Sequence, residues 1–97
     1  MLHTEKRFTS DDYLPLVQRG KVARILPCGN CGSLSMPDVV LDCPGTFWSS
    51  WRLECSRCGG MSLSYPPHGV QAGTELNPNP LSGAIDNWNY MQECRGR

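Results

Sequence analysis

Two short motifs constrain this chain more than anything else in it: Cys28-Gly29-Asn30-Cys31 and Cys55-Ser56-Arg57-Cys58, separated by 23 residues. Two residues between paired cysteines let both thiolates of a pair turn onto one ion, while backbone N–H groups of the turn point at the sulfurs. Two such knuckles complete a tetrahedral all-cysteine site, the usual closed arrangement for a structural Zn2+. Gly32 and Gly59 follow the second cysteine of each pair, where the turn can demand a positive φ. The spacing therefore assigns Cys28, Cys31, Cys55 and Cys58 as the ligands of one zinc ion. Iron is the alternative occupant, because tetrahedral geometry and soft ligands do not distinguish the two. A redox C-x-x-C would need a thioredoxin-like βαβ context, which the sequence lacks. Four protein ligands leave no open position, so such a site is structural rather than catalytic.

The rest of the composition calls for that support. With 97 residues, 39% hydrophobic content, ten Gly and eight Pro, the chain has room for one small core and breaks often. Domains of this size frequently need a metal or disulfides. No stretch approaches the ~20 apolar residues of a membrane span, and no apolar signal segment opens the chain. A cytoplasmic protein is expected, where paired cysteines read as metal ligands rather than disulfides. Nine Lys and Arg balance nine Asp and Glu, which weakens a phosphate-binding reading.

Along the chain, Met1–Thr9 reads as a polar start. Ser10 as N-cap, with Asp11 and Asp12, opens a short helix through Tyr13, Leu14, Leu16 and Val17, with Pro15 in the first turn and an end near Gly20. Residues 1–24 form an N-terminal extension on this reading, and 25–97 the ribbon domain. A short strand is expected over Lys21–Leu26. Asp38–Asp42 and the aromatic-rich run from Phe47 to Cys55 read as strands around a Cys43-Pro44-Gly45 turn, and Met61–Tyr65 as another. Pro66–Pro80 has no periodicity and reads as a long loop. Pro80 then opens a helix with Leu81, Ala84, Ile85, Trp88 and Met91 on one face. The expected fold is small α+β: a metal-stabilised zinc ribbon, its two knuckles on β-hairpins, with a C-terminal helix and a short N-terminal one. Trp88 is expected to pack that helix near the metal and Asn89 to bond a knuckle backbone group. Cys43, Cys94, His3 and His68 have no partner at ligand spacing.

The order Ile25-Leu26-Pro27-Cys28-Gly29-Asn30-Cys31-Gly32, Leu53-Glu54-Cys55-Ser56-Arg57-Cys58-Gly59, Ala84-Ile85-Asp86-Asn87-Trp88-Asn89 resembles the restriction alleviation protein Lar family and related small phage zinc ribbons. Those proteins carry two Cys-x-x-Cys-Gly knuckles and close with an alanine and a Trp-Asn pair on a helix. Here Gly29-Asn30 replaces the usual proline and aromatic pair. The resemblance implies a phage or prophage origin and a role in countering or modulating host DNA-directed machinery.

No carboxylate pair, phosphate loop or His-activated nucleophile stands out, so an enzyme is not expected. The favoured function is binding to a host bacterial protein, with Phe47, Trp48, Trp51, Tyr13 and Tyr65 as candidate contacts, since exposed aromatics make interface anchors. The alternative is nucleic-acid binding, with Arg52, Arg57, Arg95 and Arg97 on phosphates and a tryptophan stacked on a base. A homodimer pairing its aromatic strands is compatible with the first reading.

Overall fold

The computed structural model describes residues 5–29, 36–45, 49–65, 76 and 78–95. They form a small α+β fold with elements in the order β1 (Glu5–Phe8), α1 (Ser10–Gln18), β2 (Asp38–Asp42), β3 (Ser50–Glu54) and α2 (Pro78–Arg95). The three strands make one antiparallel sheet, β1-β2-β3. Cross-strand rows run Lys6–Leu41–Trp51, Arg7–Val40–Arg52 and Phe8–Val39–Leu53.

Successive side chains alternate between the two faces of a strand, and this register sorts them with one exception, the exposed Lys6, which shares the apolar face at its edge with its ammonium 5.3 Å from the Phe8 ring centroid. Phe8, Val39, Leu41, Trp51 and Leu53 share the inner face, with the Phe8 and Trp51 rings 5.7 Å apart. Leu81, Ala84, Ile85 and Trp88 of α2 join the same core and are fully buried. The helical face read from their spacing is the buried face. The outer face of the sheet carries Glu5, Arg7, Asp38, Asp42, Arg52 and Glu54 around Val40. Arg7 and Arg52 flank Val40 in register, and Val40 has no exposure, covered by the aliphatic stems on either side.

The N-terminal region departs from its sequence reading. Glu5–Phe8 is an edge strand paired with β2 rather than a loose polar start, and Tyr13 of α1 is wholly buried. Tyr13 and Val22 of this region lie in the core, with Phe8, Leu14, Leu16 and Val17 packed against it. The N-cap of α1 is Thr9, one residue before the expected Ser10; its N–H donates to the Asp12 carboxylate at 2.9 Å, half of a capping box. Pro15 lies inside the helix rather than in its first turn, on the exposed side, where a missing backbone donor costs least. The helix α2 begins at Pro78, so the end of the expected loop is helical. Residues 66–75 of that loop lie outside the described residues.

Candidate metal centre

The second cysteine pair is placed by backbone alone. Where β3 ends, the Cys55 N–H donates to the Gly60 carbonyl at 2.8 Å, and the Gly59 N–H returns to the Cys55 carbonyl at 2.9 Å. Gly59 sits at φ 74°, the left-handed conformation expected of it, with open space where a Cβ would stand. The chain then runs back along β3. Trp51 and Tyr65 exchange both backbone hydrogen bonds, at 2.7 and 2.8 Å. The expected Met61–Tyr65 strand is reduced to two isolated bridges, Glu54↔Met61 and Trp51↔Tyr65. Two residues of β3 face three of the returning chain between these bridges, which is a β-bulge. Ser62 fills the irregularity: its N–H donates to the Leu53 carbonyl at 2.9 Å, and its hydroxyl accepts from the Leu53 N–H at 3.0 Å.

Cys28 arrives by another route. Among the described residues, 21–28 form no strand, so the expected Lys21–Leu26 strand and the first hairpin are absent. Side chains of α2 occupy the place of a ladder. The Trp88 indole N–H donates to the Leu26 carbonyl at 2.8 Å, and Asn89 Oδ1 accepts from the Leu26 N–H at 2.9 Å. Asn89 Nδ2 donates to the Arg24 carbonyl at 2.8 Å, and Gln92 Oε1 accepts from the Gly29 N–H at 2.7 Å. An extended backbone must satisfy its polar groups somewhere. Here a helix face does it: Trp88 packs in the core that includes Cys28 and Cys55 as expected, whereas Asn89 bonds the backbone before the knuckle and Gln92 bonds the knuckle itself. The part of Gln92 was missed, because nothing in a sequence separates such a glutamine from a solvated one.

The two routes converge. The sulfurs of Cys28, Cys55 and Cys58 all lie within 4.8 Å of one another, with Cys28 Sγ 3.6 Å from Cys58 Sγ. That separation far exceeds a disulfide's ~2.05 Å. It approaches the ~3.8 Å edge of a tetrahedron with metal–sulfur bonds of about 2.3 Å. Cys28 and Cys55 are buried, and Cys58 is exposed. The donor set fits a thiophilic metal, although its identity is open between zinc and iron on chemistry alone. Cys31 and Gly32 lie outside the described residues, as do His3 and His68. Cys43 ends β2 at φ 47°, half-buried in its turn, and Cys94 is exposed in the last turn of α2; neither joins the cluster.

The candidate partner contacts divide. Trp51 and Tyr13 have no exposure, so they are core residues rather than surface anchors: the register turns Trp51 inward, and the Tyr13 hydroxyl donates to the Pro37 carbonyl at 2.6 Å. Burial, with Asp38 nearby, pushes the Tyr13 phenol well above its ordinary pKa. Tyr65 remains half-exposed; Phe47 and Trp48 lie outside the described residues. Met61, Leu63 and Tyr90 are exposed large apolar side chains that carry no motif or periodicity to mark them. The Leu63 carbonyl accepts from Asn87 Nδ2 at 3.2 Å, which ties the returning chain to α2.

Arg52 is committed to the outer face, where it pairs with Asp42, Glu5 and Glu54. Arg7 donates to Glu54 at 2.7 Å and pairs with Asp38 and Glu5. The hydrogen bond from Arg7 holds the Glu54 carboxyl below the usual carboxylate range, against its partial burial, and the same bond raises Arg7. No family model, curated protein or solved structure matches this chain.

Proposed function

We propose that the chain is a zinc ribbon in which Cys28, Cys31, Cys55 and Cys58 hold one structural Zn2+. We further propose that it acts in the cytoplasm as a non-catalytic module binding a host bacterial protein, in the phage-encoded, host-modulating manner its motifs resemble. The observation that carries the reading is the convergence of Cys28 with Cys55 and Cys58 from segments that no strand pairing joins among the described residues. Such an ion supplies folding energy, and a site closed by four thiolates offers no position for substrate.

A protein partner is favoured over nucleic acid by what lies exposed. Met61, Leu63 and Tyr65 follow one another along the returning chain, and Tyr90 stands on α2 three residues beyond Asn87. Arg52, one of the arginines offered for phosphates, is engaged by three carboxylates.

The test has two parts. Purified protein should contain one zinc per chain, and strong chelation should abolish its folded circular dichroism spectrum; a spectrum unchanged by metal removal rejects the structural ion. Tagged protein should retain one stoichiometric protein from bacterial lysate after nuclease treatment, and Leu63→Asp should release it. Capture that disappears with nuclease moves nucleic-acid binding to first place.

A further inference from the structure

The molecule has two acidic faces, and they differ in what answers the charge. On the outer face of the sheet, Glu5, Asp38, Asp42 and Glu54 are all engaged by Arg7 or Arg52. On α2, Asp86 and Glu93 are exposed and form no ion pair among the described residues. Seven residues of helix at 1.5 Å each put these two carboxylates on one stripe, about 10 Å apart along the axis. Beside that stripe runs an apolar row. Gly83, Asn87 and Tyr90 follow one another at i, i+4 and i+7. The Tyr65 ring lies on Gly83, so close that a Cβ there would overlap it, and Asn87 Nδ2 donates to the Leu63 carbonyl at 3.2 Å. Tyr65, Leu63 and Tyr90 therefore succeed one another along the helix, at 40%, 79% and 71% exposure.

Contiguous exposed apolar side chains with a polar rim mark an interaction surface, and the rim says what this one takes. Segments 59–65 and 78–94 contain no Lys or Arg, so Asp86 and Glu93 are their only charges. Two unpaired carboxylates repel phosphates, which removes nucleic acid as the occupant. A second copy related by a two-fold axis would set the same patch, and the same acids, against one another. The complement of this rim is a pair of bases, and the Tyr90 ring offers a cation its π face as well.

We propose that this face of α2 docks a helical segment of a partner protein that carries Lys or Arg at i and i+7, paired with Asp86 and Glu93, beside a leucine or aromatic side chain seated against Leu63 and Tyr90. This rests on the protein-partner reading above and names the chemistry of that partner.

The experiment follows the full chain, nitrogen-15-labelled and supplied with zinc, by NMR. The probe is a synthetic amphipathic helix of leucine, alanine and lysine with its lysines at i and i+7; the same peptide with glutamate for lysine is the control. The lysine peptide should move the amides of Leu63, Tyr65, Asn87 and Tyr90 and leave those of Arg7, Val40 and Arg52 in place. The glutamate peptide should bind at least about 10-fold more weakly. The double variant Asp86→Lys, Glu93→Lys, changed only at exposed positions, should invert that preference. No binding of the lysine peptide, shifts centred on the outer face of the sheet, or equal binding of the two peptides overturns the proposal. So does a dimer of the parent in sedimentation that Leu63→Asp dissolves, which gives the face to a second copy. A nuclease-resistant partner from lysate that the double variant retains undiminished removes this inference alone. A parent that retains no protein after nuclease removes the partner reading on which it rests.

Discussion

The two cysteine-bearing segments reach the same point by opposite means. The second, 55–60, is closed by hydrogen bonds between residues at most five apart, and its one unusual demand is a left-handed glycine. The first, 24–29, is held by three side chains 62 to 65 residues away in sequence. Local backbone closure tolerates most side chains, whereas closure by a helix face depends on Trp88, Asn89 and Gln92 being present. Substitutions should therefore act unequally on the two halves of the site.

Trp88→Ala should have the largest effect. It removes a fully buried indole and the bond to the Leu26 carbonyl, and should cost about 3–5 kcal/mol in chemical denaturation of the metal-loaded protein. A loss under about 1 kcal/mol, of the size expected for surface sites, would show that the first segment is not held by α2. Asn89→Ala follows, at about 2 kcal/mol for two hydrogen bonds. Amide exchange should quicken at Leu26 and stay unchanged at Gly59; equal acceleration at both sites would erase the distinction between them.

Gly59→Ala tests the other half. The space is open, so the cost is conformational, about 1–2 kcal/mol, and should fall on the second segment only. The smallest effect concerns the strand that leads into Cys55. The Glu54 carboxyl is held below its reference pKa of 4.5 by Arg7. Its contribution to stability is present above that reference value and is lost as pH falls through the lower folded value. The stability gap between the parent and Glu54→Gln should thus be constant near neutrality and close in acid. A gap that widens in acid reverses the sign and refutes the pairing.

How far the sequence discloses this arrangement follows the same division. The buried face of α2 is written in the spacing of Leu81, Ala84, Ile85 and Trp88, and β2 in the apolar run of Asp38–Asp42. The approach of the cysteines is written in their pairing. Glu5-Lys6-Arg7-Phe8 gives no comparable signal, because an edge strand with one face of charges needs only Phe8 to reach the core. Tyr13 looks like a surface aromatic until Pro37 is seen to receive its hydroxyl. Residues 21–26 carry the apolar character of a strand, with Val22 and Ile25 buried, but the Lys21 N–H turns back to the Leu16 carbonyl and the Arg24 and Leu26 backbone groups are met by side chains. Periodicity reports burial and says nothing about which atoms complete the hydrogen bonds.

The reach from Gly29 to Gln92 also sets an order of events during synthesis. These residues are 63 positions apart, so a ribosome adding ~5–20 residues per second needs roughly 3–13 s to pass from one to the other. Through that interval Cys28 is already made while the helix that fixes its neighbour does not yet exist. The later cysteine pair can close on its own backbone first, and the segment carrying Cys28 must wait for α2. A chain that lacks α2 has no Gln92 to receive the Gly29 N–H and no Trp88 or Asn89 to hold the segment before it.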